Sequence, residues 1–252
     1  MGDDMTALNA INLKVVVMDT DFYALQSLNG YLAWDRRTRV TFLAENLDLL
    51  WDYLHRVPIA EYPDVIVIDA DHIGGPATLK ITIEQLRLKI PSLRVVCLTQ
   101  LVNPDLVEIA ADAHANAFLL KQEVRLQITW AIVYTLDHDF VVTPGVAKAC
   151  ARSFNSRIFH ATVLPKNREY PELTERIRQA IALCVIEGMP AHLAAHEMGI
   201  SLHTIRGYIK EGYRILESYD ETEYPVDMTP QERAFMRFTA LSEDEAQRDE
   251  HK

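Results

Sequence analysis

Between residues 14 and 137 the hydrophobic pattern of the chain switches period repeatedly, and this alternation constrains the fold more than any other feature. Short, mostly β-branched runs recur at Val15-Val16-Val17, Val40-Thr41-Phe42, Val65-Ile66-Val67-Ile68, Val95-Val96-Cys97-Leu98 and Ala117-Phe118-Leu119-Leu120. Helical stretches lie between and after them, at about 22–34, 46–56, 78–90, 105–113 and 123–137. In the second of these, Leu47, Leu50, Trp51 and Leu54 fall on one stripe, the spacing of an amphipathic helix. Strands buried on both faces read as continuous apolar runs, and parallel neighbours need crossover connections. Five strands alternating with five helices therefore predict a parallel sheet covered on both faces. In such a sheet the reactive groups belong at the carboxyl ends of the strands.

Those ends carry chemistry. The first strand stops at Asp19-Thr20-Asp21, the third at Asp69, the fourth at Thr99 and the fifth at Lys121. Clustered carboxylates bind Mg²⁺, a hard ion that prefers oxygen. A lysine and a hydroxyl can hold a phosphoryl group on Asp69 by charge and hydrogen bonding. Taken singly, each has an ordinary role: Asp21 precedes an apolar-periodic helix as an N-cap, Lys121 is solvated, and Thr99 ends a strand. Four such residues at four strand ends favour a shared site.

At this point the stretch 14–137 resembles a bacterial response-regulator receiver domain, through KVVVMDTD, PDVIVIDADHIGG, RVVCLTQ and ANAFLLKQ. The resemblance implies Asp69 as phosphoacceptor, Asp19 with Asp69 at an Mg²⁺ site, Thr99 as switch hydroxyl, Lys121 as phosphate-binding lysine and Phe118 as switch aromatic. It also implies a sensor histidine kinase as partner. Three departures stand out: Thr20 replaces the family's second acid, His72-Ile73 its Met-Pro, and Gln100 a small residue beside the pocket. Without one carboxylate, Mg²⁺ affinity is expected to fall, since a neutral hydroxyl does not replace a full charge at a hard-cation site.

Residues 138–171 read as a linker, punctuated by Thr143-Pro144-Gly145, Pro165 and Pro171. Beyond it, Leu173, Ile177, Ile181, Cys184 and Val185 keep helical spacing up to the stop Gly188-Met189-Pro190. A short helix Ala191 to Met198 ends at Gly199, and Ser201 caps a second helix over 202–217. A short helix, a glycine turn and a capped second helix form a helix-turn-helix pattern. In the second helix Arg206, Lys210 and Arg214 recur every four positions and project from one side. Such a row meets phosphates and guanine edges when the helix lies in the major groove. Gly207 costs about 1 kcal/mol of helix propensity relative to alanine, so its presence points to close approach of a partner.

The run LAAHEMGISLHTIRGYIKEGYRIL is similar to the LuxR/NarL-type DNA-binding domain. By that likeness Arg206, Gly207 and Lys210 fall on base-facing positions, and His203 and Thr204 near the backbone phosphates. His192 and His196 are four apart but lack the zinc-protease order and a third ligand, so exposed helix positions are expected. In the tail, Thr229, Pro230 and Glu232 predict a capping box opening a helix at about 230–240. The end from Ser242 is expected to be disordered.

The formal charge of −11 excludes a generally basic nucleic-acid coat, but it divides unevenly. Residues 1–137 carry net −7, residues 138–216 net +3, and residues 217–252 net −7. The helix-turn-helix stretch 166–216 is only +1, thin for a DNA reader, so a homodimer on two half-sites is expected. Three widely spaced cysteines, Cys97, Cys150 and Cys184, outline no disulfide framework. No apolar run approaches a membrane span, and Asp3-Asp4 is the wrong sign for a signal peptide. The chain is therefore expected in the cytoplasm.

The expected fold is α/β plus all-α: a flavodoxin-like (βα)5 receiver over 12–137, the linker, a four-helix helix-turn-helix domain over 172–218, and an acidic tail over 219–252. The expected function is a transcription regulator, not an enzyme, that binds double-stranded DNA with RNA polymerase as a further partner. The alternative is a signalling adaptor working through protein contacts of the receiver and the tail helix.

Overall fold

A computed structural model describes residues 11–219, 224–225 and 227–242, which divide into two compact units meeting at residues 165 and 166. In the first unit β1 (Leu13–Met18), β2 (Thr38–Ala44), β3 (Val65–Asp69), β4 (Arg94–Thr99) and β5 (Ala117–Leu120) pair in parallel. The crossovers are α1 (Phe22–Ala33), α2 (Leu47–Arg56), α3 (Pro76–Lys89) and α4 (Pro104–Asp112). The order β2-β1-β3-β4-β5 is the flavodoxin-like doubly wound arrangement, whose chain direction across the sheet reverses between β1 and β3. Val15, Val16 and Val17 of β1 and Val65 to Ile68 of β3 are buried, which explains their unbroken apolar runs. Helix starts follow local chemistry. The Asp21 carboxylate accepts from the Tyr23 and Ala24 amides, and Asn46 and Asn103 do the same for α2 and α4.

After β5 the expected helix 123–137 is broken into α5 (Lys121–Val124), a 3-10 turn (Arg125–Gln127) and α6 (Ile128–Tyr134). The break falls at Arg125, held at φ 42° and ψ −117°, a region that non-glycine residues seldom occupy.

Residues 138–165 are not a linker. They add β6 (Val141–Val142), α7 (Pro144–Ala149), α8 (Ser156–Phe159) and β7 (Thr162–Val163), extending the parallel sheet to seven strands beyond β5. Pro144 and Gly145, which read as punctuation, open α7 inside this addition, with Pro144 in its first turn. Arg157 fastens it, donating to the carbonyls of Ala111 and Ala115 and pairing with Asp139. Asn155 and Ser153 bind Asp112 and Glu108 of α4. Phe140 and Val142 join the main core.

The second unit contains α9 (Glu175–Ile181), a π-helical turn (Ala182–Ile186), α10 (Ala191–Glu197), α11 (Leu202–Ser218) and α12 (Pro230–Phe238). Its four-helix count includes α12, which the sequence reading placed in a separate tail. The Thr229–Glu232 capping box forms on both sides, and Ala234, Phe235 and Met236 are buried. Gln231 donates to the Cys184 carbonyl in the π turn. Tyr170 donates to the Arg237 carbonyl. Asn167 and Leu241 form an antiparallel bridge flanked by amide bonds from Arg168 and Ser242. Residues 227–242 thus complete this unit rather than trail from it. The expected disorder beyond Ser242 falls on residues outside the described ones.

Candidate functional site

At the reversal point of the sheet, the ends of β1 and β3 bring Asp19 and Asp69 together, as the sequence predicts. Both are buried, and Lys121 bridges them with its ammonium 2.8 Å from Asp19 Oδ2 and 2.9 Å from Asp69 Oδ1. Burial works against the ammonium charge, but the hydrogen bonds to the two carboxylates outweigh it and hold Lys121 above its ordinary pKa. The other Asp69 oxygen, Oδ2, lies 2.8 Å from His72 Nδ1. That hydrogen bond and the charge of Asp69 push His72 above 6.5. Asp19 Oδ1 accepts from the Asp21 amide, while the Asp21 carboxylate is spent on the α1 cap.

Thr99 is buried beside this cluster but turned elsewhere. Its hydroxyl lies 2.5 Å from Asp71 Oδ1 and 2.6 Å from the Leu101 carbonyl, and the Gln100 amide donates to Asp71 Oδ2. Asp71 therefore holds the switch hydroxyl expected to face Asp69. Phe118 is fully buried in the main core and lies on a strand flanked by β4 and β6.

Asp71 and His72 escaped the site reading, although the signal was present. Asp69-Ala70-Asp71-His72 puts two further titratable side chains directly after a strand end. Gly74 and Gly75, both at positive φ, carry the chain from there into α3, a conformation glycine adopts without steric cost.

Asp19 and Asp69 supply two carboxylates, and Mg²⁺ is commonly held by one or two carboxylates with waters completing its shell, but both carboxylates here hold the Lys121 ammonium, which a cation would have to displace. Thr20 is an exposed hydroxyl and Asp71 faces Thr99. Among the described residues no group of three or more His, Cys, Asp or Glu is placed to hold a metal.

The second unit presents a different surface. Helix α10 ends in a full Schellman motif around Gly199 at φ +64°, with Ile200 N–H to the Ala195 carbonyl and Gly199 N–H to that of His196. Ser201 then caps α11 by accepting from the Thr204 amide, so the turn is built as the sequence predicts. Ala194, Ala195, Met198 and Ile205 form the core between the two helices. His203, Arg206, Gly207 and Lys210 are exposed, and Thr204 is half-buried against Ser201. Arg214 differs from the other two basic residues of the row, because Glu211 binds its guanidinium at 2.6 and 3.0 Å.

The two glycines of α11 have separate causes. A Cβ on Gly212 would stand 2.6 Å from Ile181 of α9, so the helix crossing requires it. A Cβ on Gly207 would meet nothing within 4 Å. His192 and His196 are exposed, as expected.

The chain thus joins a doubly wound α/β unit with an acid–lysine cluster to a four-helix helix-turn-helix unit. No protein-family model and no curated protein matches it. Among solved structures it is similar to RcsB in two dimers bound to two parallel DNAs, at 20% identity over 79% of this chain and 89% of that one, TM-score 0.48. The isolated REC domain of RcsB from Salmonella enterica serovar Typhimurium with phosphomimetic BeF3⁻ aligns at 21% identity over 54% and 97%, TM-score 0.44. RcsB from the same serovar bound to promoter rprA aligns at 16% over 91% and 100%, TM-score 0.44. Likenesses of this size add no functional inference to the chain's own geometry. No helix among the described residues is long and apolar enough to cross a membrane.

Proposed function

We propose that this chain is a cytoplasmic DNA-binding transcription regulator, with residues 166–242 reading duplex DNA as a homodimer and residues 10–165 supplying the input. One observation carries the reading. On the second helix of a helix-turn-helix, Arg206 and Lys210 are exposed and have no ion-pair partner among the described residues. Gly207 lies between them with open space above it. Unpaired cations beside bare backbone suit phosphates and base edges that approach closely. RNA polymerase is the proposed further partner of the promoter-bound dimer. The adaptor alternative gave α12 a partner-facing role, yet its apolar residues are buried inside the second unit.

The test is a salt-dependent gel shift of the full chain against genomic fragments. Specific retention is expected, with log affinity falling linearly in log salt. If no fragment is retained above competitor DNA at any salt, the reading fails.

The input is inferred to be other than phosphoryl transfer from a sensor histidine kinase. Lys121 and His72 occupy both oxygens of Asp69, Asp71 holds the Thr99 hydroxyl, and a Mg²⁺ ion would have to displace Lys121 from both carboxylates. Adding Mg²⁺ and beryllofluoride is expected to leave DNA affinity and sedimentation unchanged, and Asp69→Asn is expected to behave likewise. A beryllofluoride-induced dimer that Asp69→Asn abolishes would restore phosphorylation.

A further inference from the structure

Beside Lys121, α1 and the α5–α6 break line an open cleft of about 150 Å³. Its walls are mostly apolar, Ala24 and Leu28 from α1, Leu98 from β4, and Val124 and Ile128 from the broken helix, with Ser27 and Tyr31 of α1 also in the lining. A benzene-sized body matches this volume, and the mostly apolar lining favours an occupant with an apolar face.

Two cations border the cleft, and their circumstances differ. Lys121 has its ammonium committed to Asp19 and Asp69, so it gives the cleft only its methylene stem. Arg125 is exposed, with its Nε donating to the Gln122 carbonyl. Its terminal nitrogens have no partner among the described residues. The same residue carries the positive φ that breaks the helix, and that break sets its guanidinium at the rim. An apolar slot with one uncompensated guanidinium at its edge is complementary to a small aromatic ring bearing a single carboxylate, which arginine binds in a fork.

We propose that this cleft is a binding site for a small aromatic monocarboxylate, held by its ring against Leu28 and Ile128 and by its carboxylate on Arg125. The site deepens the reading of residues 10–165 as an input unit, since an occupant would touch the stem of Lys121 and thereby the Asp19–Asp69 pair.

Benzoate, toluene and acetate serve as probes of the full chain by isothermal titration calorimetry and thermal shift, without DNA. Failure of DNA recognition therefore leaves this result standing, and the converse holds. Benzoate is expected to bind saturably, toluene more weakly, and acetate not at all. Arg125→Gln, at an exposed side chain, is expected to weaken benzoate by about tenfold or more and leave toluene unchanged. Leu28→Trp fills the slot and is expected to abolish both; if it fails to fold, Arg125→Gln decides alone. The proposal is overturned if benzoate binds wild type and Arg125→Gln equally, or if no probe binds. It is also overturned if sedimentation shows Leu28→Trp dissolving a dimer that benzoate does not affect, which would assign the face to a second copy.

Discussion

At the carboxyl ends of β1, β3 and β5, every charge is answered from within: Lys121 binds Asp19 and Asp69, His72 binds Asp69, and Asp71 binds Thr99 and Gln100. On α11 the opposite holds for Arg206 and Lys210, which are exposed and unpaired among the described residues, while Arg214 is neutralised by Glu211. The difference teaches where each unit meets its partner. A saturated buried cluster holds its own elements in register, and an outside group must displace an existing bond to enter. An unsaturated row on a solvent-facing helix displaces only water and counterions.

The contrast breaks most visibly at Lys121. Removing its ammonium leaves two buried carboxylates facing each other, and deleting one partner of a buried ionic group costs about 3–5 kcal/mol. Lys121→Ala is therefore expected to lower the unfolding free energy from urea titration by that amount. A loss well under 1 kcal/mol would mean that water reaches the cluster.

On α11, Arg206→Ala is expected to cost about 1–3 kcal/mol in specific DNA binding. Lys210→Ala, at the other base-facing cation, should likewise weaken specific binding more than non-specific binding. Arg214→Ala should do neither, because Glu211 already holds that guanidinium. An equal effect from all three would erase the distinction between open and answered charge.

The glycines sharpen the same helix. Gly212→Ala forces a methyl into Ile181 and should destabilise by about 1–3 kcal/mol. Gly207→Ala meets nothing and should stabilise by up to about 1 kcal/mol while weakening DNA binding. A more stable variant with unchanged affinity would remove the close-approach role of Gly207.

The smallest effect is expected at His72, whose imidazole is 60% exposed. Its pKa is raised in the folded chain by the hydrogen bond to Asp69. The stabilisation is therefore full below the unfolded value near 6.5 and fades as pH rises through the folded value. Melting temperatures of wild type and His72→Ala should differ at low pH and converge at high pH. Divergence at high pH instead would reverse the sign and refute the pairing.

Much of this was legible in local pattern. The five runs that predicted strands are the strands β1 to β5, and Asp21, Ser201 and Thr229 cap the helices they precede. The convergence of Asp19, Asp69 and Lys121 followed from their places at strand ends. The second strand pair, β6 and β7, was not legible. Each is two residues long, too short to show a period, and each exists because β5 offers an unpaired edge.

The helix-turn-helix was readable because its turn and caps are short-range chemistry, but its membership was not. Helix α12 reads as an amphipathic tail segment until the π turn presents the Cys184 carbonyl to Gln231 and the interior receives Phe235. Gly212 likewise carries no sequence sign of the Ile181 methyl beside it. Sequence by itself determined the alternating elements, their caps and the positions of the charged side chains, because periodicity and capping act within a few residues. Tertiary structure alone decided which charges are answered. Pairing depends on distances between Asp19, Asp69, His72 and Lys121, set by the sheet and by loops that no local pattern specifies.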